Sequence, residues 1–158
     1  MVQHQLGIDL GIMFERHAHG PLWTGMFPLI NTAKKAGWFT YEEPKRKGLA
    51  GTFTPGENIQ PQLDACRQIL GDKQAAFDEL LELFDTLDTT EAELLTTLYA
   101  IIHDFQKAGH TPTDEEIITD FYNWHEEKKK FDRKQVVEML AWMRENLLTV
   151  KDLGIWRI

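Results

Sequence analysis

The chain has 158 residues, 42% of them hydrophobic and 27% charged, which is enough for one domain or two small ones with a real core. Such a composition excludes disordered and collagen-like chains, and no apolar run nears the roughly 18 residues a membrane-spanning helix needs. Net charge is −8 but unevenly placed: residues 1–60 carry six Lys/Arg against five Asp/Glu, for +1, and residues 61–158 carry eleven against twenty, for −9.

In chain order, a short apolar segment, Ile8–Phe14, leads to Arg16-His17-Ala18-His19-Gly20-Pro21, where the Gly-Pro step is expected to break regular structure. Leu22, Met26, Leu29 and Ile30 recur at helical spacing, so a helix runs through Lys34 and Lys35 to a stop at Gly37, with Pro28 in its first turn or at a kink. Trp38–Tyr41 and Thr52–Thr54 read as strands flanking Pro44-Lys45-Arg46-Lys47-Gly48, a hairpin with a basic tip. Helix followed by hairpin is the shape of a winged helix. Pro61 opens a helix whose stripe is Leu63, Cys66, Ile69 and Leu70, ended by Gly71. A second helix spans about 73–84 with Ala76, Phe77, Leu80, Leu81 and Phe84 on one side.

Three capped helices follow. Thr90 and Glu93 have capping-box spacing ahead of Leu94, Leu95, Leu98, Ile101, Ile102 and Phe105; Thr113 and Glu116 repeat it ahead of Ile117, Ile118 and Phe121; Asp132 and Gln135 repeat it ahead of Val136, Val137, Leu140, Met143 and Leu147. The tail alternates loosely through Leu148, Val150, Leu153 and Ile155, compatible with a strand or small wing. The expected fold is therefore mostly α with a small β-hairpin: two winged-helix-like units, 1–60 and 89–158, joined by bridging helices over 61–88.

Chemistry-bearing motifs are sparse. His17 and His19, two residues apart beside Arg16, have strand spacing for a metal or phosphate, but no cysteine pair completes a zinc set and a structural turn is the plainer reading. His103-Asp104, with His110 and His125-Glu126, invites comparison with His-Asp metal-dependent phosphohydrolases, yet the helical pattern turns His103 and Asp104 toward water. Gly-rich phosphate loops, nucleophile elbows and Cys-Xaa-Xaa-Cys pairs are absent from the sequence, so no catalytic residue, metal ligand or cofactor is assigned. Lys45, Arg46 and Lys47 at the hairpin tip, with Lys34 and Lys35, are the candidate DNA-phosphate contacts. Five tryptophans exceed what one small core needs, and Trp23, Trp124 and Trp156 are the candidates for a partner surface. A single cysteine, Cys66, and no secretory signal point to a reducing, cytoplasmic setting.

The run Leu10-Gly11-Ile12-Met13-Phe14-Glu15-Arg16-His17-Ala18-His19-Gly20-Pro21-Leu22, then Ala36-Gly37-Trp38-Phe39 and Phe53-Thr54-Pro55-Gly56, resembles a helical, winged-helix-like region in the C-terminal part of type I restriction-modification specificity and restriction subunits. Thr89–Ala100, Pro112–Ile118, Asn123-Trp124-His125 and Trp142–Asn146 resemble that region's second half. The resemblance implies an accessory role in assembly or DNA engagement, with nuclease and methyl-transfer chemistry elsewhere; no Asn/Asp-Pro-Pro-Tyr motif or helicase loop is present. Only Val2–Phe14 precedes the turn where such regions carry a helix, which leads to the expectation of a fragment of a longer chain.

The resulting expectation is a non-catalytic DNA- or protein-interaction domain, contacting duplex DNA through its N-terminal half and a protein partner or other subunit through its acidic half, with no membrane. The alternative is a regulatory or assembly module, antitoxin-like, without DNA contact.

Overall fold

The computed structural model describes residues 1–44 and 51–147. In chain order its elements are α1 (Val2–Gln5), β1 (Glu15–His17), β2 (Gly20–Leu22), α2 (Met26–Lys35), β3 (Phe39–Glu42), β4 (Thr52–Pro55), α3 (Gln60–Leu70), α4 (Gln74–Asp85), α5 (Thr89–Lys107), α6 (Asp114–Trp124) and α7 (Arg133–Leu147), with 3₁₀ turns at Gly71–Lys73 and Glu126–Lys130. The protein is mostly α with two small antiparallel hairpins. Contacts divide it into two compact units: Met1–Trp23 together with the chain from Asp78 (unit 1), and Thr24–Phe77 (unit 2). This differs from the expected divisions at residues 60 and 88, because the first 23 residues pack with the late helices.

Unit 1 is centred on α5. Leu94, Leu95, Leu98, Ile101 and Ile102 are buried along one stripe, against Ile117, Ile118 and Phe121 of α6 and Val136, Leu140 and Met143 of α7. Phe121 meets Phe131 edge-on at 5.7 Å. Two caps form as expected, Thr113 with Glu116 and Asp132 with Gln135. The third is a correction: Asp88, not Thr90, caps α5, and Glu91 closes the box. Asp88 stands in the extended conformation a cap requires, and Thr90 lies already inside the helix.

The Gly-Pro step is also a correction. Rather than breaking regular structure, Gly20 and Pro21 lie within β2, which pairs with β1 so that Arg16 faces Pro21 and His17 faces Gly20. Gly20 holds φ +124°, and a Cβ there would sit 3.2 Å from Thr97 Oγ1 on α5, so only glycine lets the hairpin seat. The indole of Trp124 donates to the His17 carbonyl at 2.8 Å from the other side.

In unit 2, α2 ends at Lys35, with Ala36 as its cap and Gly37 following, and has Pro28 in its first turn, where the missing N–H costs nothing. The expected hairpin forms, with Tyr41 opposite Phe53 and their rings 4.7 Å apart. Residues 45–50 at its tip lie outside the described residues, as does the tail from 148, where a second strand or wing was expected. The described part of unit 1 has its hairpin before its helices rather than after. The stripe expected on α3 is not a core stripe: Leu70 is buried, whereas Leu63 is 41% and Ile69 72% exposed.

Candidate functional site

The cations expected to meet phosphate fall in unit 2. Lys34 and Lys35 occupy the exposed C-terminal end of α2, where they also complement the helix dipole. The Lys34 ammonium lies 5.5 Å over the Tyr41 ring on β3, which ties the helix end to the hairpin. Neither lysine has a carboxylate partner among the described residues, and Lys45, Arg46 and Lys47 lie outside them.

Cations of unit 1 are in contrast engaged. Arg16 is held by Asp120 through both of its terminal nitrogens, at 2.9 and 3.2 Å, reaches Asp104 at 3.2 Å and stacks 4.5 Å from the Trp124 ring. Arg133 pairs with Glu115 and Arg144 with Asp114. Glu93 forms a hub between elements: the fully buried Lys128 donates to it at 2.8 Å, Lys130 at 2.9 Å, and the His19 ring lies 3.4 Å away. Burial works to raise the Glu93 carboxyl, but the hydrogen bonds from the two lysines outweigh it and hold the group below the usual carboxylate range.

The partner-surface tryptophans separate. Trp124 is buried, with its N–H satisfied by His17 and its ring covered by Arg16, so it serves the interior of unit 1; Trp23 is half-buried and Trp156 lies outside the described residues. The His-Asp pair is rearranged too. His103 does not face water: it is half-buried and stacks on His4 with ring centroids 3.8 Å apart and planes within 1°. Stacked rings direct their nitrogen lone pairs in parallel rather than at one point, Asp104 is taken by Arg16, and no three His, Cys, Asp or Glu residues gather as a metal site among the described residues. His17 and His19, 6.4 Å apart between centroids, are likewise joined by no third ligand among the described residues.

A cleft of about 370 Å³ opens beside this stack, between α1, the 12–16 segment, Pro21 and α5. His4, His103 and Lys107 stand on its wall with Tyr99, and Met13 and Phe14 line it from the hairpin approach. Burial lowers the proton affinity of both imidazoles. For His4, the charges of His103, the chain's first ammonium and Lys107 add to that effect against Asp104; for His103, Asp104 opposes while Lys107 and the ammonium add. Burial also pushes the Tyr99 phenol up. A second, open hollow of about 560 Å³ adjoins Arg16, and its carboxylates are already engaged by Arg16, Arg133, Thr113 and His110.

No family model, curated protein or solved structure matches the chain.

Sequence reasoning passed over His4 altogether and placed His103 on the wrong face. Apolar periodicity locates a core stripe and says nothing of a neighbouring element laid beside it. The one available signal was that His103 falls four residues after Tyr99, one helical turn along the same side of α5.

Proposed function

We propose that this chain is a non-catalytic interaction domain of a DNA restriction-modification system, in which unit 2 presents cations to duplex phosphates and the acidic unit 1 docks a protein partner. The observation that carries the reading is that charge follows the units. Unit 2 has seven Lys/Arg against five Asp/Glu, for +2, and unit 1 has ten against twenty, for −10. The lysines at the end of α2 have no carboxylate partner among the described residues, while most described cations of unit 1 are paired within it. A phosphate backbone is therefore attracted to unit 2 and repelled by unit 1. The restriction-modification setting, and the cytoplasm that goes with it, rest on the sequence resemblance; among the described residues no helix is long and apolar enough to cross a membrane.

Anisotropy of a labelled mixed-sequence duplex, titrated at about 50 and about 200 mM salt, tests it. Three to five phosphate contacts predict a loss of about 40- to 500-fold between the two salts. Lys34→Glu with Lys35→Glu should weaken binding at low salt, and charge reversal at Lys45, Arg46 and Lys47 should weaken it further. Absence of binding, or affinity indifferent to both sets of reversals, refutes the DNA role.

A second reading is a protein-interaction module without DNA contact. It is favoured by the apolar side chains unit 2 leaves exposed, Met26, Phe27, Leu29 and Phe53 among them, when its buried hydrophobic residues among those described are Ala33 and Leu70. Light scattering that finds only a monomer, together with tight DNA binding, would count against it.

A further inference from the structure

We propose that the cleft beside the His4–His103 stack binds a small organic anion, a carboxylate or phosphate carried on a flat apolar body. The cleft has a volume in the lower range of ligand sites, about 370 Å³, and a mostly apolar lining with a few polar side chains among it. His4, His103 and Lys107 all lie on its lining. Neither His103 nor Lys107 has a hydrogen bond or ion pair among the described residues, and His4 Nδ1 is buried with no partner. Acceptors that would otherwise serve them are spent or distant in role: Asp104 is engaged by Arg16, and Glu15 stands exposed at the rim. In a unit with a net charge of −10, this cleft brings the Lys107 ammonium and two imidazoles together on its lining. Met13, 83% exposed, and Phe14, 45% exposed, offer an apolar surface on the approach, and Tyr99 and Ala100 form the floor on α5.

An anion seated there lets the stacked imidazoles take up a proton that the empty cleft refuses them. The groups that set this balance are the first ammonium and His4 from the N-terminal segment, Glu15 and Arg16 from β1, and Tyr99, His103, Asp104 and Lys107 from α5. Binding is therefore accompanied by proton uptake, and it tightens as pH falls from 8 toward the ordinary histidine range.

The test is a titration of the full chain with benzoate, phenyl phosphate, inorganic phosphate and benzyl alcohol, read from the imidazole resonances of His4 and His103. Saturable binding by benzoate or phenyl phosphate is expected, the tighter of the two naming the headgroup. Benzyl alcohol and inorganic phosphate, each lacking half of the ligand, should bind at least about tenfold more weakly. Lys107→Met, at an exposed position with no internal partner, should cost about three- to tenfold, and His103→Gln about tenfold with the helical circular dichroism retained. The proposal is overturned if neither aromatic anion saturates by about 10 mM, if affinity is flat between pH 5 and 8, or if both variants bind as the parent does. None of these readouts depends on the DNA-binding reading, which concerns unit 2.

Discussion

Replacing Glu93 by Gln removes one charge from the hub and leaves its shape. Lys128 is then a fully buried ammonium without a counter-ion, since its side chain is 0% exposed and Glu93 only 10%. At an effective dielectric of about 20, the 2.8 Å pair has a gross attraction of about 6 kcal/mol. Much of that offsets the cost of taking Lys128 out of water, and breaking such a pair from one side typically costs about 3–5 kcal/mol. That is a large part of the stability of a domain this size, so urea unfolding followed by circular dichroism should show a midpoint far below that of the parent. The pair Glu93→Leu with Lys128→Met, which removes both charges, should recover most of the loss, because Lys130 is 41% exposed and keeps its hydration. Acid titration supplies a further check. The Glu93 carboxyl is held low in the folded state, so its stabilisation is present above the ordinary carboxylate range and disappears as pH falls below it; Glu93→Gln should flatten that acid limb. A single variant costing under about 1 kcal/mol, the value of an exposed pair, would refute the reasoning.

Other consequences are as direct. Gly20→Ala places a Cβ at φ +124° against Thr97 and should lower the unfolding free energy by about 1–3 kcal/mol, measured by denaturant titration; a cost below about 0.5 kcal/mol would mean the hairpin shifts freely. Arg16→Lys keeps the charge but loses the planar face over Trp124 and the two-nitrogen grip on Asp120, so the protein should lose about 0.5–1 kcal/mol and its tryptophan emission should change; unaltered emission would argue against the stack. His4 and His103 bind protons less readily folded than unfolded, so stability is full above the ordinary histidine pKa and declines as pH falls below it. His103→Gln should shallow that decline in a series of thermal unfolding curves between pH 7 and 5.

The elements legible in the sequence were those whose evidence is local. Thr113 with Glu116 and Asp132 with Gln135 specify helix starts within four residues, and the α5 stripe follows from spacing alone. Glu93 was misread because the same spacing serves two ends: a carboxylate three residues after a hydroxyl can close a cap, but Asp88 fills that place and Glu93 turns to Lys128, 35 positions away. The exposed stripe on α3 shows the converse, periodicity without burial. Neither the His4–His103 stack nor the Arg16 clamp has a local signature, because both join residues about a hundred positions apart, whose proximity depends on the whole of unit 1.

The grip of α5 and α6 on the first hairpin also sets an order of events in synthesis. Arg16 waits 104 positions for Asp120, and His17 waits 107 for Trp124. At about 5–20 residues per second, roughly 5–20 s pass between the emergence of β1 and that of its anchors. Throughout that interval a two-stranded hairpin has too little to hold it. Closing so long a loop adds little entropy beyond that of a short one, so the delay is a matter of time rather than of equilibrium. The first hairpin thus becomes native only after α6 has been made, and the core it packs with is closed later still, by α7.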